Sequence, residues 1–471
     1  MKFFLLALLP ALIFAGDNAL SLSINQAPLH EIVQILLAFG EGYSINYTLG
    51  NFTFNFNAGF KGELELMNVQ LQGVTANLTT SGLTFKEPDE IQLAINDGKI
   101  VVTFNYLLKY GLTYKGTGTL TILGLDFDYF ITVIQTQPKD KAQILIRHLA
   151  AVITNIELTT TGLSSTIKKL LLEAMISEIP TLEKTIEGYV ANKTDDINML
   201  LYILPYELEL ESLRSIIDLH LTQNTSVSNG YLSIPFLGEV YNSTTKSSFI
   251  PFKAIDLPAY GADGLDFQIF LSDYFLNSLV VAYWGLLNID LKQLPPTIPL
   301  KLTTDGLAFL IPNLKQTYGK GKNVALTFNS DPAYQYPTVW TNNSLNFNAT
   351  LQTKFAVQTS STAWTNALDL LTSIYINANL HLNGTVLNFD INTLDLWQVS
   401  VINSNVGTVN TAVLSMLLEN LFDILVPIIN NDLGKVNISL PKIKYIEFTD
   451  DILVLNNGYS EIAANIAPSI I

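Results

Sequence analysis

Along much of the chain apolar and polar residues alternate one by one. Phe52, Phe54 and Phe56 fall on one face, with Asn51, Thr53, Asn55 and Asn57 on the other. The same rhythm returns at Leu345, Phe347, Ala349 and Leu351, and again at Ile374, Ile376, Ala378, Leu380 and Leu382. Successive side chains of a strand point to opposite faces, so this pattern predicts antiparallel strands with one dry and one wet side. Several of the runs exceed the usual five or six residues. Long one-sided strands must curl around something apolar, which predicts highly curved sheets or barrels.

Four stretches break the alternation with helical spacing. Pro28 to Gly40 carries a single stripe of Leu29, Ile32, Val33, Leu36, Leu37 and Phe39. The Thr/Ser cluster at 159–166 can cap a second helix. That helix bears Leu163, Ile167, Leu170, Leu171 and Ala174, continues through Leu182, Ile186 and Val190, and is kinked or divided at Pro180. A third covers Asp273 to Leu287 and a fourth runs from Val409 to Ile429. The helix starts near 27 and 163 are spaced like those near 273 and 409, so one helix–strands–helix unit occurs twice. The intervening segment 242–262, with Pro251, Pro258 and Gly261 and no period, reads as a linker. The expected organisation is a barrel over 17–241, the linker 242–262 and a second barrel over 263–471.

Residues 1–16 change the picture of compartment. Lys2, the apolar run Phe3 to Ala15 and the small residues Ala15 and Gly16 form the pattern of a secretory signal peptide. No later segment offers the roughly 18 consecutive apolar residues of a membrane-spanning helix. Asn-x-Ser/Thr acceptors at Asn46, Asn51, Asn77, Asn192, Asn224, Asn242, Asn342, Asn348, Asn383 and Asn437 agree with a secreted protein or one in the lumen of the secretory or endolysosomal system. The tail from Ser460 reads as a fraying end, or as a short apolar face of Ile462, Ile466, Ile470 and Ile471 that covers a pocket mouth.

Composition excludes several function classes. Of 471 residues 48% are hydrophobic and only 14% charged, so the chain can bury a large core and is not disordered. A net charge of −16 argues against binding nucleic acid. With no cysteine there are no disulfides, thiolate metal sites or cysteine nucleophiles. Gly162-Leu163-Ser164-Ser165-Thr166 lacks the last glycine of a nucleophile elbow, and Gly116-x-Gly118 lacks the third glycine of a dinucleotide loop. The histidines His30, His148, His220 and His381 are scattered, and Asp126 and Asp128 read as a solvated strand face. No catalytic residue, metal site or cofactor is predicted. What needs explaining is a large apolar load. Drawing a 16-carbon acyl chain into water costs roughly 13 kcal/mol at about 0.8 kcal/mol per CH₂, so a dry cleft under the helices could hold one.

At Leu271-Ser272-Asp273-Tyr274-Phe275-Leu276-Asn277-Ser278 the sequence resembles the family of bactericidal/permeability-increasing protein, lipopolysaccharide-binding protein and the plasma lipid transfer proteins. Gly230-Tyr231-Leu232 to Gly238-Glu239-Val240-Tyr241, Leu302-Thr303-Thr304 with Ile311-Pro312, Ser404-Asn405-Val406-Gly407, Val426-Pro427 and Leu440-Pro441 follow in the family's order. The likeness covers about 20 to 460. It implies an α+β fold: an elongated two-barrel boomerang with curved antiparallel sheets, each closed by amphipathic helices, and a central sheet between the halves. It also implies an apolar pocket in each half that accepts phospholipid or neutral-lipid acyl chains, and transient contact with a membrane or lipoprotein surface. Carried over by position, Ile32, Leu36, Phe39, Leu163, Ile167, Leu170 and Leu171 line the first pocket. Tyr274, Phe275, Leu279, Val280, Val413, Leu417, Leu421 and Leu425 line the second. Oligomeric state is left open.

Two departures from the family pattern stand out. The disulfide that ties a strand to the long helix has no counterpart around Ile144–His148 and Thr185–Ile186. The hairpin Thr103 to Lys115, which in lipopolysaccharide-binding members carries a cation cluster, offers only Lys109 and Lys115. Recognition of microbial lipopolysaccharide is therefore the second reading and lipid carriage the first.

Overall fold

The computed structural model describes residues 19–42, 47–57, 61–136, 140–210, 214–244, 255–284, 288–293, 300–330, 338–342, 344–383, 386–433, 438–439 and 446–468. The predicted signal peptide lies outside them. In the first half β1 (Leu20–Asn25) runs directly into α1 (Gln26–Gly42). There follow β2 (Tyr47–Asn57), β3 (Lys61–Thr75), the short β4 (Gly82–Lys86), β5 (Glu90–Tyr110), β6 (Leu112–Gln135) and β7 (Ala142–Thr160). Next come α2 (Ser165–Ser177), α3 (Ile179–Ile203) and five short strands, β8 (Glu207–Leu210), β9 (Ser215–Asp218), β10 (Ser226–Ser228), β11 (Tyr231–Phe236) and β12 (Val240–Asn242).

The second half repeats the plan. It contains β13 (Phe267–Ser272), α4 (Asp273–Trp284), β14 (Asn288–Leu291), α5 (Pro312–Tyr318), β15 (Val324–Ser330) and β16 (Thr338–Thr341). After these come β17 (Leu345–Gln358), β18 (Trp364–Asn383), β19 (Val386–Ser404), α6 (Thr411–Leu433), β20 (Ile438–Ser439), β21 (Ile446–Leu455) and β22 (Tyr459–Pro468). The fold is α+β and antiparallel throughout its ladders, as expected.

Three larger sheets organise these strands. The N-terminal one runs β2-β3-β5-β6-β7 with β4 beside β5, and the C-terminal one β14-β15-β17-β18-β19-β20 with β16 beside β17. Between them lies a six-stranded sheet, β10-β11-β1-β13-β22-β21, drawn equally from both halves. Its centre is the pair β1 and β13, so each strand left of centre has a counterpart on the right. The long strands bend at bulges, among them those between Met67 and Gln70 on β3 and at Ser373/Ile374 on β18. On β5 Val102, Phe104, Tyr106 and Leu108 face inward, alternating with exposed Asn105 and Lys109. Opposite Phe104 stands Gly118, where a Cβ would come within 2.6 Å of the ring. The glycines that suggested half a nucleotide loop instead make room for aromatic side chains.

The helices arise where the stripes predicted them. Ser164 caps α2 by accepting from the Ile167 N–H, and Pro180 sits in the first turn of α3, dividing the two at Glu178. The seven-residue α5 was not predicted. The tail is neither a fraying end nor a lid: Ile462 and Ile466 are buried in β22, while Ile470 and Ile471 lie outside the described residues. Their spacing of four satisfies a period of two as well as a helical turn, which is why the sequence left the element ambiguous.

Helix side chains complete strand ladders at matching positions in the two halves. The Asn198 side chain on α3 accepts from Ile144 N on β7 at 2.7 Å and donates to Ile144 O at 3.0 Å. Asn430 on α6 does the same to Ile391 on β19, at 2.8 and 3.0 Å. On the first helix of each half, His30 bonds to Leu83 O and Asn277 clasps Val339 through both backbone groups. Four residues earlier, Gln26 accepts from Phe85 N and Asp273 from Thr341 N. A buried backbone group without a partner costs about as much as a lost hydrogen bond, so each clasp fixes a helix to one strand position.

Replacing Asn198 by Ala strands both backbone groups of buried Ile144. We expect a loss of about 1–3 kcal/mol, measured as a lower urea midpoint of the N-terminal half. Asn198→Asp, which keeps the acceptor alone, should fall between wild type and Asn198→Ala.

Candidate functional site

The apolar side chains gather in three clusters. In the N-terminal half Leu171, Met175 and Leu201 of α2 and α3 are fully buried against the inner face of β3 to β7, which presents Tyr106, Leu120, Phe127, Tyr129 and Ile153. Leu163, Ile167, Leu182, Ile186 and Val190 pack on the same face but remain partly exposed. Leu170 is also partly exposed. Among the described residues this cluster has nearly as many partly buried as fully buried members. Among the described residues of the C-terminal cluster, partly buried members number fewer than half the buried ones, and Leu307, Ile311, Leu314 and Leu418 have no exposed surface. The segment Leu302–Leu314 supplies several of those core residues.

The expected first pocket is not one contiguous set. Ile32, with Leu29, belongs to the central cluster beside Phe85, Leu271, Phe275 and Ile462, whereas Leu163, Ile167 and Leu171 belong to the N-terminal one. The side chains of Leu36, Phe39 and Leu425 lie outside those described. Of the second set, Tyr274, Phe275 and Leu279 join the central cluster and Val413, Leu417 and Leu421 the C-terminal one. Val280 packs against both, as does Phe347, so the second set meets at the seam between clusters.

Polar bonds hold α3 over its sheet. Besides Asn198, Glu183 accepts from Ile153 N at 2.8 Å and Glu187 from Ala151 N at 3.1 Å, so the outer edge of β7 is covered by side chains rather than by another strand. Beneath the helix Tyr129 Oη and Thr194 Oγ1 share a buried bond of 2.7 Å. Burial pushes the Tyr129 phenol up, a shift the Thr194 bond partly offsets. These anchors were not legible as such, because Glu183, Glu187 and Asn198 look like ordinary polar positions on a helix. Only their return every few residues beside the apolar stripe could have marked them.

The tip hairpin carries little positive charge. Lys109 Nζ lies 2.8 Å from both Glu63 and Glu65, which raise its pKa, while Lys109 pulls the Glu65 carboxyl below its usual value. A cleft of about 550 Å³ crosses β3, β5, β6 and β7 nearby. Its lining combines the hydroxyls and amides of Asn68, Thr103, Asn105, Thr117 and Thr159 with Phe104, and carries no charge.

The histidines and strand aspartates singled out in the sequence have these neighbours. His220 pairs with Asp218 at 2.6 Å and stacks on Tyr206, His148 meets Phe130 edge-on, and His381 lies 3.5 Å from Asp390. Asp126 and Asp128 accept from Asp97 N and Gln92. Among the described residues no three His, Asp or Glu converge as a metal site, and no helix is long and apolar enough to cross a membrane. The sequons at Asn51, Asn77, Asn192, Asn224 and Asn342 are exposed, and those at Asn242 and Asn348 partly buried. Asn46, Asn437 and the Asn383 side chain lie outside the described residues.

Comparison with known proteins agrees with this architecture. The family model described as LBP / BPI / CETP family, C-terminal domain, matches residues 211–467. A crystal structure of lipopolysaccharide binding protein matches with a TM-score of 0.54 at 19% identity, over 96% of this chain and 99% of that one. P47 of Clostridium botulinum E1 aligns over 96% of this chain and 99% of its own, at 9% identity and a TM-score of 0.27, too low to support any argument.

The uneven packing is measurable. Leu171→Ala should cost about 2–5 kcal/mol, the range for a closed core position. Ile186→Ala, on the same helical layer but half open, should cost only about 1 kcal/mol, the transfer value of the smaller area it hides. Urea unfolding of the two variants checks the difference.

Proposed function

The chain belongs to the LBP / BPI / CETP family, and on that footing we propose that it is a secreted or luminal lipid carrier that holds acyl chains between its helices and long strands. The observation that carries this reading is the incompletely covered apolar face under α2 and α3. Leu163, Ile167, Leu182, Ile186 and Val190 point a greasy stripe at the sheet yet keep part of their surface open. A lipid tail lying along that stripe would remove the remaining apolar area from water, at about 0.8 kcal/mol per CH₂. The N-terminal half is the principal site in this reading. Leu279, Val280 and Val413, partly buried at the seam of the central and C-terminal clusters, form the second.

Phospholipid or another acyl lipid would be collected from a membrane or lipoprotein surface touched in passing, with no chemistry performed on it. Recognition of lipopolysaccharide is the weaker alternative. Its phosphates need clustered cations, whereas Lys109 is already held by two glutamates and the chain carries a net charge of −16.

The test is organic extraction of the chain purified from a secreting host, followed by mass spectrometry. Acyl lipid should be recovered in stoichiometric amount. Ile186→Trp, which fills the stripe, should retain several-fold less and take up a fluorescent phosphatidylcholine from vesicles more slowly. A lipid-free wild type that also fails to take up the vesicle probe would end this reading.

A further inference from the structure

One carboxyl group in the central sheet has no role in any of the above. Glu461 lies on β22, opposite Phe270 of β13 and Val454 of β21, and is only 5% exposed. Its Oε1 has no hydrogen-bond partner. The segment 255–266, which leads from the linker into β13, folds over it. Gly261 is pressed so close that a Cβ there would stand 1.9 Å from Glu461 Oε1. The same segment is stitched to the sheet around this point. Gly261 N donates to Gln268 Oε1 at 2.7 Å, Gln268 Nε2 donates to Asp263 Oδ1 at 2.9 Å, and Tyr260 stacks on Tyr231 with centroids 5.2 Å apart. Asp266 secures the far end by accepting from Ile466 N at 3.2 Å.

An ionised carboxylate in this position is costly, because it is desolvated and faces a second carboxylate. Asp263 is the charged group that meets it from the linker segment. β13 contributes the uncharged Gln268 and β21 the apolar Val454, while Tyr459 on β22 has its phenol raised by burial and then by the charge of Glu461. No lysine or arginine among the described residues compensates it by an ion pair, and no third carboxylate or histidine completes a cation site. A proton does suffice: a neutral Glu461 can donate to Asp263 and remove the repulsion at once.

We propose that Glu461 and Asp263 form a proton-operated latch, which fastens segment 255–266 to the central sheet while Glu461 is neutral and loosens it when Glu461 ionises. Burial first, then the charge and hydrogen bond of Asp263, push the Glu461 carboxyl up to about 7. A raised carboxyl favours the folded arrangement fully below the ordinary glutamate value, and that contribution is lost as pH rises through about 7. The latch is thus tightest in an acidic compartment, weakens as pH rises towards neutral, and has lost this support above about pH 7.

Hydrogen exchange of the full-length chain, read at segment 258–266 and corrected for the intrinsic pH dependence of exchange, tests this. Protection should be constant below the ordinary glutamate value, fall by up to about tenfold per unit from there to about pH 7, and level off above it, where both states are ionised. Glu461→Gln, a permanent mimic of the neutral state, should stay as protected as acidic wild type from pH 6 to 8. Asp263→Asn, which removes the facing charge from an exposed position, should move the transition to lower pH and carries the test should Glu461→Gln not fold. A wild type without pH dependence, a Glu461→Gln variant that keeps it, or an Asp263→Asn transition that does not move overturns the latch. So does loss of the pH dependence on adding millimolar calcium, which would make the compensating ion a metal.

Discussion

Uncovered strand edges govern this architecture. A sheet that wraps an apolar interior must stop somewhere, and its last strand then exposes a row of N–H and C=O groups that need partners. Here the partners are helix side chains. Asn198 against the last strand β7, and Asn430 against β19 beyond the two residues that β20 pairs, each present a carbonyl and an amino group to one strand residue, imitating a neighbouring strand for the length of one pair. Glu183 and Glu187 extend the imitation along β7. Because each bond is specific for one backbone position, the helix is held in register with the strand and cannot slide to maximise greasy contact. In the family the chain resembles, a disulfide ties a strand to the long helix. This chain has no cysteine, and neutral amides with two glutamates do the tying.

Much of this organisation could be read from residue order. The period of two in β2, β17 and β18 and the stripes of α1, α3 and α6 gave the elements, because burial on one side imposes a fixed repeat on the residues that face it. The duplicated plan was visible in the helix spacing, and Pro180 marked the break between α2 and α3. The pairing of β1 with β13 was not visible. Strands of Leu, Ile and Ser alternation fit many partners, and the choice is made by segments more than two hundred residues apart. Nor could side-chain ladders such as His30 with Leu83 be inferred, since they depend on where a helix comes to rest. The candidate lining residues divide along the same line. Their apolar character was legible, but whether Ile32 joins Ile167 and its neighbours or the central sheet is a matter of tertiary distance; in the fold, Ile32 goes with Phe85 and Leu271.

The two halves share a plan but not a filling. In the C-terminal half the segment Leu302–Leu314, including the start of α5, brings Leu307, Ile311 and Leu314 into the interior, and the cluster there is dense. The N-terminal half has no such insertion among its described residues. Its long helix is divided into α2 and α3, and several of their apolar residues are only partly buried. Among the described residues, one duplicated scaffold thus carries two differently filled cores.

The seat of β1 has a consequence for biosynthesis. This earliest strand lies between β11 and β13, so one of its edges is closed only by residues of the second half. While the ribosome is still making the later residues, the nascent N-terminal lobe displays an apolar, hydrogen-bond-hungry ribbon to its surroundings. Cutting the polypeptide at the proline-containing joint would leave that ribbon permanently bare. An N-terminal lobe on its own would have to cover that edge of β1 in some other way, because an unpaired strand edge is a template for pairing with other chains.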